Sequence, residues 1–249
     1  MSTTTVTYIG GPTLLIEYAG SRIVTDPTFD PPRSYSEPGS TTLVKTVGPA
    51  IDRRSLGAVD LVLLSHHGHK DNLDYEGLEL LATGVHTLST MDAATELFGG
   101  GLTGLDDWES VEHDGITVTA VPALHGPSGS ERIVGRVTGF VLEAADEPTV
   151  YVSGDNASLP LVGQIAERFP DIDIAVLFAG AARVPGIAGP LTLTAEDAVA
   201  ATATLGASRV IVAHTEDWEH FSEGPDAVSE AFGAADVLVP TPRGVPVSL

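Results

Sequence analysis

A chain of 249 residues, 43% of them hydrophobic, is long enough to bury a sizeable core and reads as a single domain over residues 1–249. Its 34 acidic residues against 12 basic ones give a net charge of -22, which repels nucleic acid and anionic membrane surfaces and leaves a small molecule as the expected partner. The absence of cysteine excludes a disulfide framework, a thiolate metal site and a cysteine nucleophile. A polar N-terminus and the lack of any apolar run of spanning length predict a cytoplasmic protein.

Short strands are predicted at residues 6–9, 13–18 and 22–24, separated by Gly10-Gly11-Pro12 and Ala19-Gly20. Residues 28–49, rich in Pro, Ser, Gly and Thr and without periodicity, read as a long loop of the kind that lines a site. The continuous apolar run 61–64 predicts a strand buried on both faces, and histidines begin where it ends. Helical spacing follows at 75–82 and 91–98. Strands are expected at 116–121, 138–142 and 150–153, the last running into Gly154-Asp155. Strict alternation completes the chain: a helix near 159–168, a strand at 174–178, a helix at 194–205 ended by Gly206, a strand at 210–213 and a helix near 227–232. A strand-rich beginning followed by alternating helices and strands suggests two sheets with helices outside, with a single open sheet as the alternative.

Six of the eight histidines fall at predicted strand ends or in the loops after them: His66, His67 and His69, then His125, then His214 and His220. Borderline metals such as zinc favour imidazole with carboxylate, and alternate residues of an extended segment aim two imidazoles at one ion. His67 and His69 have that spacing, Asp71 continues it, and Asp155 stands at another strand end behind Ser153-Gly154, where a small residue permits close approach. His86, inside a predicted strand, and His113, between Glu112 and Asp114 in an expected solvated turn, are read as structural.

The segment His67-Gly68-His69-Lys70-Asp71 resembles the His-x-His-x-Asp signature of the metallo-β-lactamase superfamily. Thr25-Asp26-Pro27, Leu124-His125-Gly126-Pro127, Tyr151-Val152-Ser153-Gly154-Asp155 and Val212-Ala213-His214 follow in that superfamily's order, so the resemblance covers nearly the whole chain. The branch it looks most similar to is that of bacterial ascorbate-phosphate lactonase-like hydrolases. The resemblance implies an α/β fold, an αββα sandwich of two mixed sheets flanked by helices. It also implies a first metal on His67, His69 and His125 and a second on Asp71 and His214, with Asp155 bridging. Zn2+ is the expected ion, in one or two copies, with Mn2+, Fe2+ or Ni2+ as alternatives. Two departures qualify the match. Asn72 stands where the superfamily usually has histidine, which puts the second ion in question; and the serine that often precedes the first motif histidine fits His66 better, making His66 and His69 a pair across a one-residue insertion. Spacing to Asp71 favours His67.

A bound divalent cation lowers the pKa of water from 15.7 to about 7, so the expected activity is hydrolysis of an ester, lactone, amide or phosphoester of a small molecule by metal-bound hydroxide. Asp71 would orient or deprotonate the water, Asn72 would hydrogen-bond substrate, Asp26 would receive a ligand imidazole's distal N–H, and Trp218, His220 and Phe221 would wall the pocket. The alternatives on the same fold are a cyclase or lyase, or a binding protein that has lost its metal. A nuclease is disfavoured by the charge, and a flavin-linked diiron enzyme by the lack of a flavin domain.

Overall fold

The computed structural model describes residues 4–36, 41–97 and 100–249. Alternating and continuous apolar runs form the first meander, β1 (Thr5–Gly10), β2 (Thr13–Tyr18) and β3 (Ser21–Thr25), paired antiparallel in that order. The expected long loop contains a short hairpin, β4 (Arg33–Tyr35) and β5 (Leu43–Lys45). Then come β6 (Leu61–Leu63), α1 (Tyr75–Leu81), β7 (His86–Thr90), α2 (Met91–Glu96) and β8 (Leu102–Leu105). The last residue of the second predicted helix, Phe98, lies outside the described residues.

The second half runs through β9 (Ser110–His113), β10 (Ile116–Pro122), α3 (Glu131–Val134), β11 (Thr138–Ala144), β12 (Val150–Val152) and α4 (Leu159–Arg168). It finishes with β13 (Ile174–Phe178), α5 (Ala195–Leu205), β14 (Arg209–Ala213), α6 (Pro225–Phe232) and β15 (Pro246–Ser248). His113 therefore ends a strand rather than a solvated turn, and its Nδ1 lies 3.1 Å from Nδ1 of His86.

One sheet has the order β15-β1-β2-β3-β6-β7-β8 and the other β14-β13-β12-β11-β10-β9, both mixed. Ile16, Ile23 and Leu63 of the first sheet share one buried cluster with Phe140, Val176 and Ile211 of the second, so the two sheets pack face to face. The opposite face of the second sheet is covered by Val162, Ile165, Ala198, Leu205 and Phe232 of α4, α5 and α6, and that of the first by Leu80 of α1 with Leu73. The expected αββα sandwich is the fold observed. No helix among the described residues is long and apolar enough to cross a membrane.

The sandwich gathers strand ends at one edge. β3 and β6 are parallel, as are β12, β13 and β14, and the chain turns out of them at Asp26, Ser65, Asp155 and His214. Two backbone bonds tie the sheets together there: Thr138 N–H to Ser65 O at 3.0 Å and His214 N–H to Gly11 O at 2.8 Å.

Beside this edge α1 is anchored by carboxylates. Asp74 caps it by accepting from Gly77 N–H, and Asp30 accepts from Glu76 N–H while donating its own backbone N–H to Asp74. Lys45 brings the hairpin to the same point, its Nζ 3.1 Å from Asp74 Oδ2 and 3.0 Å from Thr28 O, with both side chains buried. Burial pushes Lys45 down and Asp74 up towards their neutral forms, and the pairing opposes both shifts. Losing one member of a buried pair costs about 3–5 kcal/mol. Asp74→Ala should fall in that range by chemical denaturation, because it strands the ammonium and removes the cap. Lys45→Met should cost less, since Asp74 keeps two backbone donors; equal losses would show that the cap contributes nothing.

Candidate metal centre

The loop after β6 does not continue the strand. Asn72 and Leu73 both turn their N–H groups back to His69 O, at 3.2 and 2.9 Å, so alternate residues no longer face the same way. The curl brings His66 and His69 together, with His66 Nε2 2.8 Å from His69 Nδ1. His125, on the loop after β10, places its Nε2 3.2 Å from the same nitrogen. The expectation that His67 pairs with His69 is not met: His67 Nε2 lies 3.0 Å from Glu96 Oε2 on the exterior. His66 takes the place that spacing alone assigned to His67.

The outer nitrogens fix the tautomers. Ser65 Oγ donates to Asp26 Oδ1 at 2.7 Å and so accepts from His66 Nδ1 at 3.0 Å, while His125 Nδ1 donates to Leu191 O at 2.8 Å. His66 and His125 therefore both present bare Nε2 lone pairs, and His69 Nδ1–H can answer only one of them. Asp26 thus reaches His66 through Ser65 rather than directly. Four ligands about 2.05 Å from a tetrahedral ion stand about 3.3 Å apart, close to these nitrogen separations.

A second group faces the first. His214 Nε2 lies 3.5 Å from both Asp71 Oδ2 and Asp155 Oδ1. The other oxygen of Asp155, Oδ2, lies 3.7 Å from His125 Nε2, so this carboxylate spans both groups. Asp71 Oδ1, Asp155 Oδ2 and both ring nitrogens of His214 are buried without a hydrogen-bond partner, the condition expected of donors shaped for a cation. The second group fits a metal by this test, and the bare Nε2 lone pairs of His66 and His125 with the facing Asp155 Oδ2 fit one at the first.

Close approach at this edge needs Gly154: at φ 55°, a Cβ there would stand 2.5 Å from Thr138 O and 2.7 Å from Ser65 Cβ. Asn72 lies among these donors, but a carboxylate only accepts, so the amide nitrogen must face Asp155 Oδ1, at 3.0 Å. The amide thus orients Asp155 instead of offering it an oxygen. His220, read from the sequence as a pocket wall, has its Nε2 2.9 Å from Asp71 Oδ2. Its position six residues beyond His214 gave no periodic signal, because the loop between is held by Trp218 pairing with Lys45. Trp218 and Phe221 stack edge-on against His220 and His214 respectively.

The sequence model of the beta-lactamase superfamily domain matches residues 21–215, which contain both groups. The chain belongs to this family. Among curated relatives of this superfamily domain, a UPF0173 metal-dependent hydrolase of Methanosphaerula palustris is 33% identical, over 70% of this chain and 76% of its own. One from Methanocorpusculum labreanum is 31% identical, over 80% and 87%. Two solved structures share the fold: a possible metal-dependent hydrolase from Veillonella parvula (TM-score 0.86, 20% identical, all of both chains) and an isothiocyanate hydrolase from Delia radicum gut bacteria (0.83, 23%, 98% of each).

Electrostatics distinguish the two groups of this superfamily site. Burial and the neighbouring imidazoles hold His66 well below its usual value and His69 down at about 4, so these two imidazoles stay neutral, as ligands must be. Burial alone would also depress His214, but Asp155 and Asp71 override it and raise the imidazole to about 10. Burial likewise pushes both carboxylates up; the imidazoles beside them, His220 and His214 for Asp71 and chiefly His214 for Asp155, hold them well below the carboxylate range.

Two predictions follow from this asymmetry and from the ligand geometry. His214 has a folded value above its ordinary 6.5, so in cation-free protein its contribution to stability is complete below pH 6.5 and is lost as pH rises through about 10. The carboxylates, with folded values below 3.8, lose theirs as pH falls below that point. In chelator the melting temperature should decline from pH 6.5 to 10, and His214→Gln should remove the decline; a flat parent profile would refute the cluster. For the ligands, Ser65→Ala should weaken metal affinity roughly 10–100-fold, the usual effect of losing an outer hydrogen-bond partner. By titration calorimetry His66→Ala should weaken it more, and His67→Ala should leave it unchanged.

Proposed function

We propose that this chain is a metal-dependent hydrolase of small-molecule esters or lactones. In this reading His66, His69 and His125 hold one divalent cation, Asp71 and His214 hold a second, and Asp155 is shared. The observation that carries it is the span of Asp155, one oxygen towards each group, with Asp155 Oδ2, Asp71 Oδ1 and the His214 nitrogens all buried without a partner. Imidazole and carboxylate donors suit zinc, which we take as the resident ion. The relatives named metal-dependent hydrolases support the reaction class. Esters and lactones are preferred over phosphoesters because a chain of charge -22 opposes the approach of anions.

When bound, a divalent cation at these donors supplies Lewis acidity to a carbonyl and brings the pKa of water near it to about 7. The chain's residues handle the proton and the geometry. His220 Nε2–H holds Asp71 by Oδ2, leaving Oδ1 free to accept a proton from the attacking water. The water oxygen bonds to the acyl carbon, the bond from that carbon to the leaving oxygen breaks, and the proton taken by Asp71 passes to the leaving oxygen. Asn72 keeps Asp155 oriented throughout by its amide N–H.

Elemental analysis of the purified protein should find up to two equivalents of metal per chain. Dialysis against chelator should abolish hydrolysis of a p-nitrophenyl ester and of a γ-lactone, and zinc should restore it. Full activity after verified metal removal would overturn the reading, and stoichiometric metal with no turnover of any ester or lactone would move the chain to a lyase or cyclase.

A further inference from the structure

Beside His69 the surface opens into a cavity of about 280 Å3, bounded by Gly68, His69 and Lys70 on the metal-centre side. Its size is at the small end of the roughly 300–1,000 Å3 range of small-molecule sites. Most of the remaining wall is aliphatic, with Leu43 of β5, Ile133 and Val134 of α3, and Val184, Pro185 and Ile187 from the loop after β13; Tyr35 and Thr41 complete it. Val134 belongs to a buried cluster with Ala182 and Leu191, and Val184, Ile187 and Phe221 pack against it, apart from the three larger clusters of the sandwich. This satellite is continuous with the metal centre at two points. Leu191 O accepts from His125 Nδ1, and the Phe221 ring lies 4.6 Å from those of His214 and His220.

Ile133 departs from the usual economy of an acidic surface. It is 73% exposed, the most exposed large hydrophobic side chain among the described residues, on a helix of four residues whose neighbours Glu131 and Arg132 are charged. A single exposed apolar side chain needs no explanation, but this one stands on the rim of an aliphatic cavity that opens beside a metal-centre histidine. Fold stability gives no reason for it to be there, and contact with a ligand does.

We propose that this cavity is the acyl pocket, and that the preferred substrates are esters or lactones with a short aliphatic chain lying along Ile133, Val184 and Ile187. The proposal rests on the hydrolase reading and deepens it: the reacting carbonyl lies at the His69 end and the alkyl chain in the satellite cluster. Against the aliphatic side chains of this wall, Ile133, Val184 and Ile187, a charged or strongly polar acyl group loses hydration without recovering hydrogen bonds.

The test compares p-nitrophenyl acetate, butyrate and hexanoate with the metal-loaded protein, and in parallel titrates acetate and hexanoate, followed by ligand-observed NMR. Each added methylene buried should raise kcat/KM about fourfold, and hexanoate should bind more tightly than acetate by a comparable factor per methylene. Ile133→Asp, at a position exposed enough for the fold to survive, should flatten both trends; Ile187→Ser, which adds no charge, should flatten them partly. Turnover indifferent to chain length would overturn the acyl pocket while leaving the hydrolase reading intact. Tighter hexanoate binding without turnover of any ester would uphold the pocket and defeat the hydrolase reading. Chain-length trends unchanged in both variants would also overturn the proposal.

Discussion

Two carboxylates, Asp71 and Asp155, are buried where the ends of both sheets meet, and the local structure answers that charge. Taking a carboxylate out of water costs several kcal/mol unless positive charge or donors replace the solvent. Here the replacements are few: His214 between the two, His220 on Asp71, and the Asn72 amide on Asp155. The unpartnered oxygens that remain are the reason to read the centre as built around cations, because a purely structural network would leave none. Without a cation the proton on His214 performs the same office, and a cation held as proposed at the second group would compete with that proton.

The backbone is strained to hold this arrangement. Asp26 at φ 30° and His214 at φ 59° both occupy the left-handed region that side chains other than glycine rarely adopt. Each is tied down at once: Asp26 by two donors from Ser65, its backbone N–H and its hydroxyl, and His214 by its N–H to Gly11. The strain is thus held by hydrogen bonds, between neighbouring strands of one sheet at Asp26 and across the two sheets at His214, at the two points where the chain leaves a strand and enters the centre.

Much of this was legible in sequence and some was not, for identifiable reasons. Long periodic or uniformly apolar runs marked β2, α4 and β13 to the residue, because burial on known faces dictates their pattern. The hairpin of β4 and β5 was missed because its strands have three residues each and its anchors are tertiary: Lys45 to Asp74, and Lys45 across to Trp218. His66 was an open alternative to His67 because the choice depends on a turn closed on His69 O, which leaves no mark in side-chain spacing. The approach of His220 to Asp71 was not legible, since it spans a sequence separation of 149 residues. Asn72 looked like a lost ligand. The structure gives it a donor's position instead, which a single letter in a motif cannot reveal.

The division of labour between elements has a consequence for specificity. Four of the six donors proposed for the metals, His66, His125, Asp155 and His214, stand within three residues of a strand's end, the other two follow in the turn after β6, and those strands are locked in a buried sheet core. The walls of the adjoining cavity come instead from a three-residue strand, a four-residue helix and an irregular loop. Positions on such segments tolerate substitution because few core contacts depend on them. A lineage can therefore change which small molecule sits beside His69 while the imidazoles and carboxylates stay where they are. The fold is shared with relatives across the superfamily, and the substrate is the property that the short elements leave free to change.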